Sequence, residues 1–443
     1  MKKLLPLLLW VQGSLGMAAP DLSARLHTGR FTVEDAITKA LITSPRLKQA
    51  QAEQNAQREK KRGAWADVGP RVKGMYNEVH YQDQLTVPFG SQSFIIRDDY
   101  TKLLDLQVLQ PITGAFALME NARLQGLQED MSKAGTQITE AELAFQAADS
   151  WLRAYQADRQ VLISEASIAA SESQLKDASA LERAGRMNRG DVLKLELLVS
   201  ESRAQAAQIR AFREIAFASL RETIGVPPGS VINLSESLPT ASFVNIKAEQ
   251  ALSTALERRL EMVQAHGGVD AAQFGKKLAY AEFLPSVNIF LQFERNLGNL
   301  NVFGMTEKTV RTYGIQLNWD LWNNGSTVFA VREAAQRKVS AQEGVRATET
   351  TIRLEVLSAL ANLKSAQEFL DLAKVAVEQA SEAYRIEKAR FMTGTRSATD
   401  LVLAQTSATG AKVRHVTAQT DLISSELKYQ KALGEGRPQF TKL

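Results

Sequence analysis

The side chains that could do chemistry are few and far apart. His27, His80, His266 and His415 are the only histidines, and no two of them share a metal-ligand spacing. Cysteine is absent, which removes disulfides, thiolate chemistry and a cysteine lipid anchor. No phosphate-binding glycine loop, nucleophile elbow or metal motif occurs. No catalytic residue, cofactor or resident metal is expected, and the chain is not read as an enzyme. What remains are charged residues set beside glycines. Asp191 follows a Gly185–Gly190 break, and Arg396 and Asp400 follow Gly394 and Thr395. Glycine at 185 and 394 supplies the left-handed turn that ends a helix. An aspartate just beyond such a break reads as a helix N-cap. Trp319 and Trp322 sit where a strand gives way to a helix, a place for interfacial aromatics or for buried core tryptophans.

The elements that carry these residues come in two copies. GAWADVGPRVKGMYNEV at 63–79 matches LAYAEFLPSVNIFLQFE at 278–294, with Trp65 on Tyr280 and Pro70 on Pro285, both 215 residues apart. Further on, Gly185 matches Gly394, Asp191 matches Asp400 and Gly225 matches Gly434, all 209 apart. The ordered markers indicate a tandem duplication. Its first copy covers 19–225, a Pro- and Ser-rich linker covers 226–246, and the second copy covers 247–443. Each copy reads as a helix (32–66, 247–281), a strand pair, a long helix (116–184, 325–391) and a shorter helix (190–224, 397–433). Each long helix would measure about 100 Å at ~1.5 Å per residue. Gly267 and Gly268 should kink the 247–281 helix. The end of the chain beyond Gly434 is expected to fray.

Periodicity says what the helices and strands pack against. Ile352, Val356, Ala359, Leu363, Ala366, Leu370, Ala373, Val377, Ala380 and Tyr384 form a heptad seam, the signature of a left-handed coiled coil. A weaker seam runs Ala141, Phe145, Ala148, Leu152, Tyr155, Leu162, Ala166 and Ala169. In the strands, Tyr313, Ile315, Leu317, Trp319 and Leu321 alternate with Thr312, Gly314, Gln316, Asn318 and Asp320, and Val287, Ile289, Leu291 and Phe293 alternate with Asn288, Gln292 and Glu294, with Phe290 spoiling one position. Such alternation over about ten residues suits a barrel strand facing lipid on one side and a lumen on the other. It also suits a soluble sandwich. Four strands cannot close a barrel alone, so a barrel would need partner copies.

The ends and the overall charge set the compartment. Lys2 and Lys3 precede an apolar run from Leu4 to Val11, with small residues at Gly16 and Ala18, which reads as a secretory signal over 1–18. No later stretch has the ~20 apolar residues of a spanning helix. A formal charge of +4 on 443 residues gives no reason to expect nucleic acid.

The duplicated order, the segments RFMTGTRSATDLVLAQT at 390–406 and AGRMNRGDVLKLE at 184–196, and the strand entry FLPSVNIFLQFE at 283–294 resemble the TolC-like outer-membrane efflux proteins. The resemblance covers nearly the whole mature chain. It implies a mostly helical α+β fold in a homotrimer, with a helical α-barrel in the periplasm. A twelve-stranded β-barrel would sit in outer-membrane lipid, with four strands from each subunit. It also implies passive conduction, in partnership with a periplasmic adaptor and an inner-membrane pump of an efflux or type I secretion system. Carried over by position, Arg396 would hold the tip shut through Asp191, and Asp400 would line a ring of three carboxylates. Gly185, Gly394 and Thr395 would form the turns that meet the adaptor. Two positions depart from the family pattern: a supporting tyrosine is Phe391 here, and a second acidic ring position is Leu403. The competing reading is a periplasmic coiled-coil scaffold without a membrane barrel.

Overall fold

The computed structural model describes residues 31–241, 247–298 and 309–441. The signal segment read at 1–18 lies outside them. Helices α1 (Val33–Thr43) and α2 (Pro45–Ala66) lead to strand β1 (Arg71–His80), a hairpin of β2 (Leu85–Phe89) and β3 (Gln92–Arg97), and β4 (Tyr100–Pro111). The 70-residue α3 (Gly114–Arg183) follows, then α4 (Arg189–Ile224) and the short β5 (Thr240–Ala241). The order then recurs as α5 (Ala248–Arg258), α6 (Leu260–Ala281), β6 (Ser286–Asn296), β7 (Thr309–Asn318), the 67-residue α7 (Ser326–Met392) and α8 (Ala398–Ala432), closing on β8 (Phe440–Thr441). At ~1.5 Å per residue the two long helices span about 100 Å, from a sheet at one end to tight turns at the other. No helix among the described residues is long and apolar enough to cross a membrane.

Strands β1, β4, β6 and β7 form one antiparallel sheet in that order, so the β4–β6 pairing joins the two halves. Its register aligns Val72, Val108, Leu291 and Tyr313 in one cross-strand row, with Ile289 beside Ile315 and Val287 beside Leu317 on the same face. The opposite face carries Gln107, Asp105, Gln292 and Gln316, and Gln292 Nε2 donates to Asp105 Oδ2 at 3.0 Å. The β2–β3 hairpin has no counterpart in the sequence reading. Pro88 interrupts its strand pattern, and its turn rests on Gly90 at φ +65°.

Both leading helices are broken where continuous helices are expected. The 32–66 helix stops at Ser44, whose side chain caps α2 by accepting from Leu47 N, with Pro45 at the first position. The 247–281 helix breaks at Arg259, not at Gly267–Gly268. Arg259 is buried and forms ion pairs with Glu261 and with Glu355 on α7. Each break abuts the glycine that ends the shorter helix of its own half. A Cβ on Gly225 would lie 2.7 Å from Thr43, and one on Gly434 would lie 3.2 Å from the Arg258 backbone. Gly267 stays helical because it serves contact: a Cβ there would lie 2.8 Å from Met131 on α3.

The α7 seam is buried at Ile352, Val356, Ala359, Leu363 and Ala366 and half-buried from Leu370 to Tyr384. The α3 seam holds only as far as Tyr155. Leu162, Ala166 and Ala169 are exposed, and the buried stripe passes instead through Val161, Ser164, Ser171, Gln174 and Ala178. That stripe is largely polar, so an apolar periodicity does not reveal it.

At mid-height, Phe31, Ile37, Phe145, Trp151, Leu152, Phe217, Leu220, Ile224, Ile423 and Leu427 pack into one core. The C-terminal segment is held there rather than frayed. Phe440 pairs with Ala241, Gln439 exchanges hydrogen bonds with Gln430, and Arg437 pairs with Glu140 at 2.6 Å. Glu426 is buried nearby on α8, and burial pushes its carboxyl from 4.5 up to about 7, with Gln430 Nε2 opposing the shift at 3.5 Å. A carboxyl whose folded value is raised binds its proton more tightly when folded. The stability it gives is complete below pH 4.5 and is lost as pH rises to about 7. Glu426→Gln should remove this slope and stabilise the protein at pH 7.5 by on the order of 2 kcal/mol. Melts of both proteins between pH 4.5 and 7.5 check this, and parallel curves would contradict it.

Candidate functional site: the tip turns and the sheet face

The long helices end in matched turns. Gly185 (φ +69°) and Gly394 (φ +75°) are both left-handed. Gly185 N bonds Glu182 O at 2.8 Å and Arg186 N bonds Leu181 O at 2.9 Å; Gly394 N bonds Phe391 O at 3.0 Å and Thr395 N bonds Arg390 O at 3.0 Å. These paired bonds satisfy the last carbonyls of each helix, and only glycine enters that backbone region without strain. Thr395 Oγ1 adds a bond to Arg390 O at 2.9 Å. Thr395 thus shapes the turn with its side chain as well as its backbone.

The returning helices start on capped residues. Asn188 caps α4 by accepting from Asp191 N at 2.8 Å, and Ser397 caps α8 in a reciprocal box with Asp400. Both aspartates therefore stand at the third helical position, where a carboxylate also favours the helix dipole. The cap is the Asn or Ser three residues earlier, not the aspartate itself.

The predicted charge partners are brought together only in part. Arg396 lies 3.6 Å from Glu387 and 3.9 Å from Asp400 within its own turn. Asp191 is held instead by Asn188 Nδ2 at 2.8 Å and Lys194 at 3.4 Å. Lys194 also donates to Thr399 Oγ1 at 3.1 Å, which ties the two tip turns of one chain together. Lys194 and Glu387 are absent from the sequence reading. Lys194 lies one turn from Asp191, and that helical spacing is its signal; Glu387 is nine residues before Arg396 across the Gly394 turn, and helical spacing does not mark that pair.

Phe391 is buried among Ala178, Val192, Leu195, Leu198, Ala398 and Leu401. Its ring is the plug of a small apolar core that joins the four helix ends. Leu403 is two-thirds exposed. Behind the tip, the wall is polar. Gln405 Nε2 donates to Ser171 Oγ at 2.8 Å, Ser171 meets Ser202 at 3.2 Å, and Gln174 Nε2 donates to Tyr384 Oη at 2.6 Å. Serine, glutamine and tyrosine here link α3 to α4, α7 and α8.

At the other end, Trp319 and Trp322 are exposed rather than core residues. Trp319 Nε1 donates to Phe283 O at 3.2 Å and Trp322 Nε1 to Asn324 Oδ1 at 2.9 Å. Leu321 lies between them and is exposed, as are Phe329 further along the chain and Phe283 and Leu284 at the entry to β6, where Phe283 accepts the Trp319 hydrogen bond. Among the described residues no cluster of His, Asp and Glu could hold a metal ion.

The sequence model of the family described as "Outer membrane efflux protein" matches residues 251–435. The chain is 21% identical over 423 residues to the outer membrane efflux protein BepC of Brucella suis, covering 94% of this chain and 89% of that one. It is 22% identical over 305 residues to the alkaline protease secretion protein AprF of Pseudomonas aeruginosa, covering 67% of this chain and 62% of that one. Among solved structures, the Campylobacter jejuni CmeC outer membrane channel matches with a TM-score of 0.79 at 14% identity, over 92% of this chain and 86% of that one. These likenesses bear out the resemblance read in the duplicated order and the tip motifs, and the mostly helical α+β fold that it implies.

Proposed function

We propose, for a chain similar along its length to the TolC-like outer-membrane efflux proteins, the role of channel subunit in a tripartite efflux or type I secretion system. It conducts substrate passively from an inner-membrane pump to the exterior. Its sheet lies in the outer membrane and its helices extend through the periplasm. The observation that carries this reading is the four-stranded sheet with free edges at β1 and β7 and one apolar face. Free edges inside a bilayer are not tolerated, so the sheet must be closed by further copies. Three copies supply twelve strands, which is the homotrimer the resemblance implies. A scaffold without a barrel would leave Tyr313, Ile315 and Leu317, each at least 60% exposed in the single chain, without a partner.

The helices support the same assembly. Leu354, Leu357, Phe369, Leu372 and Val375 on α7 and Leu193, Leu197, Phe212 and Ile215 on α4 are exposed in one chain. Neighbouring subunits would cover these stripes. The duplication would place residues 19–225 and 247–443 as two similar staves of the wall, with 226–246 belting them at mid-height. In the assembled tip, Gly185, Gly394 and Thr395 would face the periplasmic adaptor. Asp400 would ring the pore, and Arg396 would reach Asp191 of a neighbour. No step in this role makes or breaks a covalent bond, so the protein is not an enzyme in this reading.

Membrane fractionation with detergent extraction and mass determination tests the assembly. A detergent-dependent trimer is expected, and a protein that extracts without detergent as a monomer would overturn it. Arg396→Ser tests the tip. Within one chain its two ion pairs are long and half exposed, so thermal stability should hardly change. Conductance of the reconstituted channel should rise, because a link across subunits is lost. Unchanged single-channel conductance would remove Arg396 from the gate.

A further inference from the structure

We infer that the far end of the sheet's apolar face binds the phosphate groups of an anionic membrane lipid through Arg295 and Arg311, with Lys102 alongside. The inference rests on the reading of that face as lipid-exposed. Three neighbouring strands end their apolar runs in a cation on this face. In β4, Val108, Leu106 and Leu104 lead to Lys102; in β6, Ile289, Leu291 and Phe293 lead to Arg295; in β7, Leu317, Ile315 and Tyr313 lead to Arg311.

The register sets these cations on one diagonal. Leu104 pairs with Arg295 and Arg295 pairs with Thr309, so Lys102 and Arg311 are each two residues from Arg295's direct partners. Such diagonal neighbours lie about 7–8 Å apart at their Cα atoms, within reach of one another's side chains. Like charges placed this way repel unless something anionic lies between them. Lys102 already has Glu78 at 3.0 Å. Arg295 and Arg311 are exposed, and among the described residues no ion pair joins either to a carboxylate.

Their height suits a headgroup. Arg311 is six residues from Leu317, about 20 Å along the strand at ~3.4 Å per residue, with the tryptophan girdle beyond Leu317. Tilted by about 40°, that run rises roughly 15 Å, and counted from Trp319 roughly 20 Å, so the arginines stand toward the outer edge of an apolar band about 25 Å tall, where a cation costs little. The guanidinium fork matches a phosphate with two parallel hydrogen bonds, which a lone ammonium does not.

The test uses the full chain as detergent-purified trimer, titrated with diphosphoryl lipid A and with monophosphoryl lipid A and followed by native mass spectrometry. The wild type should hold the diphosphoryl form about tenfold more tightly, as expected from one further charge-assisted contact. The double variant Arg295→Gln, Arg311→Gln should lose that preference and remain trimeric, while Arg295→Lys, Arg311→Lys should keep part of it. Equal affinity of the wild type for both lipids, or an unchanged preference in the glutamine variant, would overturn the inference. Full displacement of the lipid by inorganic phosphate would also overturn it, because the site would then take free anions. A chain that leaves membranes without detergent is a different failure, one of the barrel itself.

Discussion

Leu291→Arg should abolish the membrane-inserted trimer. Leu291 lies mid-strand on the apolar face, directly opposite Val108 on one side and Tyr313 on the other. An arginine on the lipid face of a barrel costs about 2–4 kcal/mol at the bilayer midplane. A homotrimer carries the substitution three times, so the assembly loses on the order of 6–12 kcal/mol, comparable to the whole stability of an ordinary protein. Gln316→Arg is the control. Gln316 lies on the polar face opposite Asn288, where a lumen-facing cation stays hydrated. The outer-membrane fraction and the detergent-resistant trimer should disappear for Leu291→Arg and persist for Gln316→Arg. Equal yields of both trimers would show that the two faces have been assigned wrongly.

The second large effect is at mid-height. Trp151 is fully buried, stacks on Tyr155 with ring centroids 5.5 Å apart, and donates from Nε1 to Phe31 O at 3.0 Å. Phe31 in turn bonds Asn233 O through its own N–H at 3.2 Å. One indole thus pins the start of the described chain and the segment between the halves onto α3. Trp151→Ala should cost about 3–5 kcal/mol for the lost packing. A further ~1–3 kcal/mol follows if the Phe31 carbonyl is left without a donor. Trp151→Phe keeps most of the volume and should lose mainly the hydrogen bond. Thermal melts followed by far-ultraviolet circular dichroism in detergent should place the variants in the order wild type, Phe, Ala. A Trp151→Ala melt that overlays the wild type would remove the indole from the core argument.

Local rules account for the elements that could be read from the residues. A glycine at the end of a helix and a polar cap at the start of the next are interactions within five or six residues. For that reason Gly185, Gly225, Gly394 and Gly434, all left-handed, mark real helix ends and expose the duplication. Strand alternation in β6 and β7 and the heptad spacing in α7 are equally local, because burial on one side imposes the period.

Other features depend on what the helices meet in space. Pro45 suits the first position of a helix, but the contact between Thr43 and Gly225 at this break forms only in the folded chain. Arg259 has no local marker at all; Glu355 on a helix 96 residues away holds it. Gly267 looked like a helix breaker and is a contact point for Met131. The lower seam of α3 is buried through Ser171 and Gln174, whose partners Gln405 and Tyr384 belong to the other half. The tip ion pairs divided in the same way. Asp191, Arg396 and Asp400 stand out by their spacing to the glycines, but Lys194 and Glu387 decide which of them meet within a chain. Spacing along the chain settles helices, strands and turns, because those bonds close over a few residues. Which polar groups are buried together, and where a long helix breaks, depends on partners 96 to 234 residues distant, and only packing brings them near.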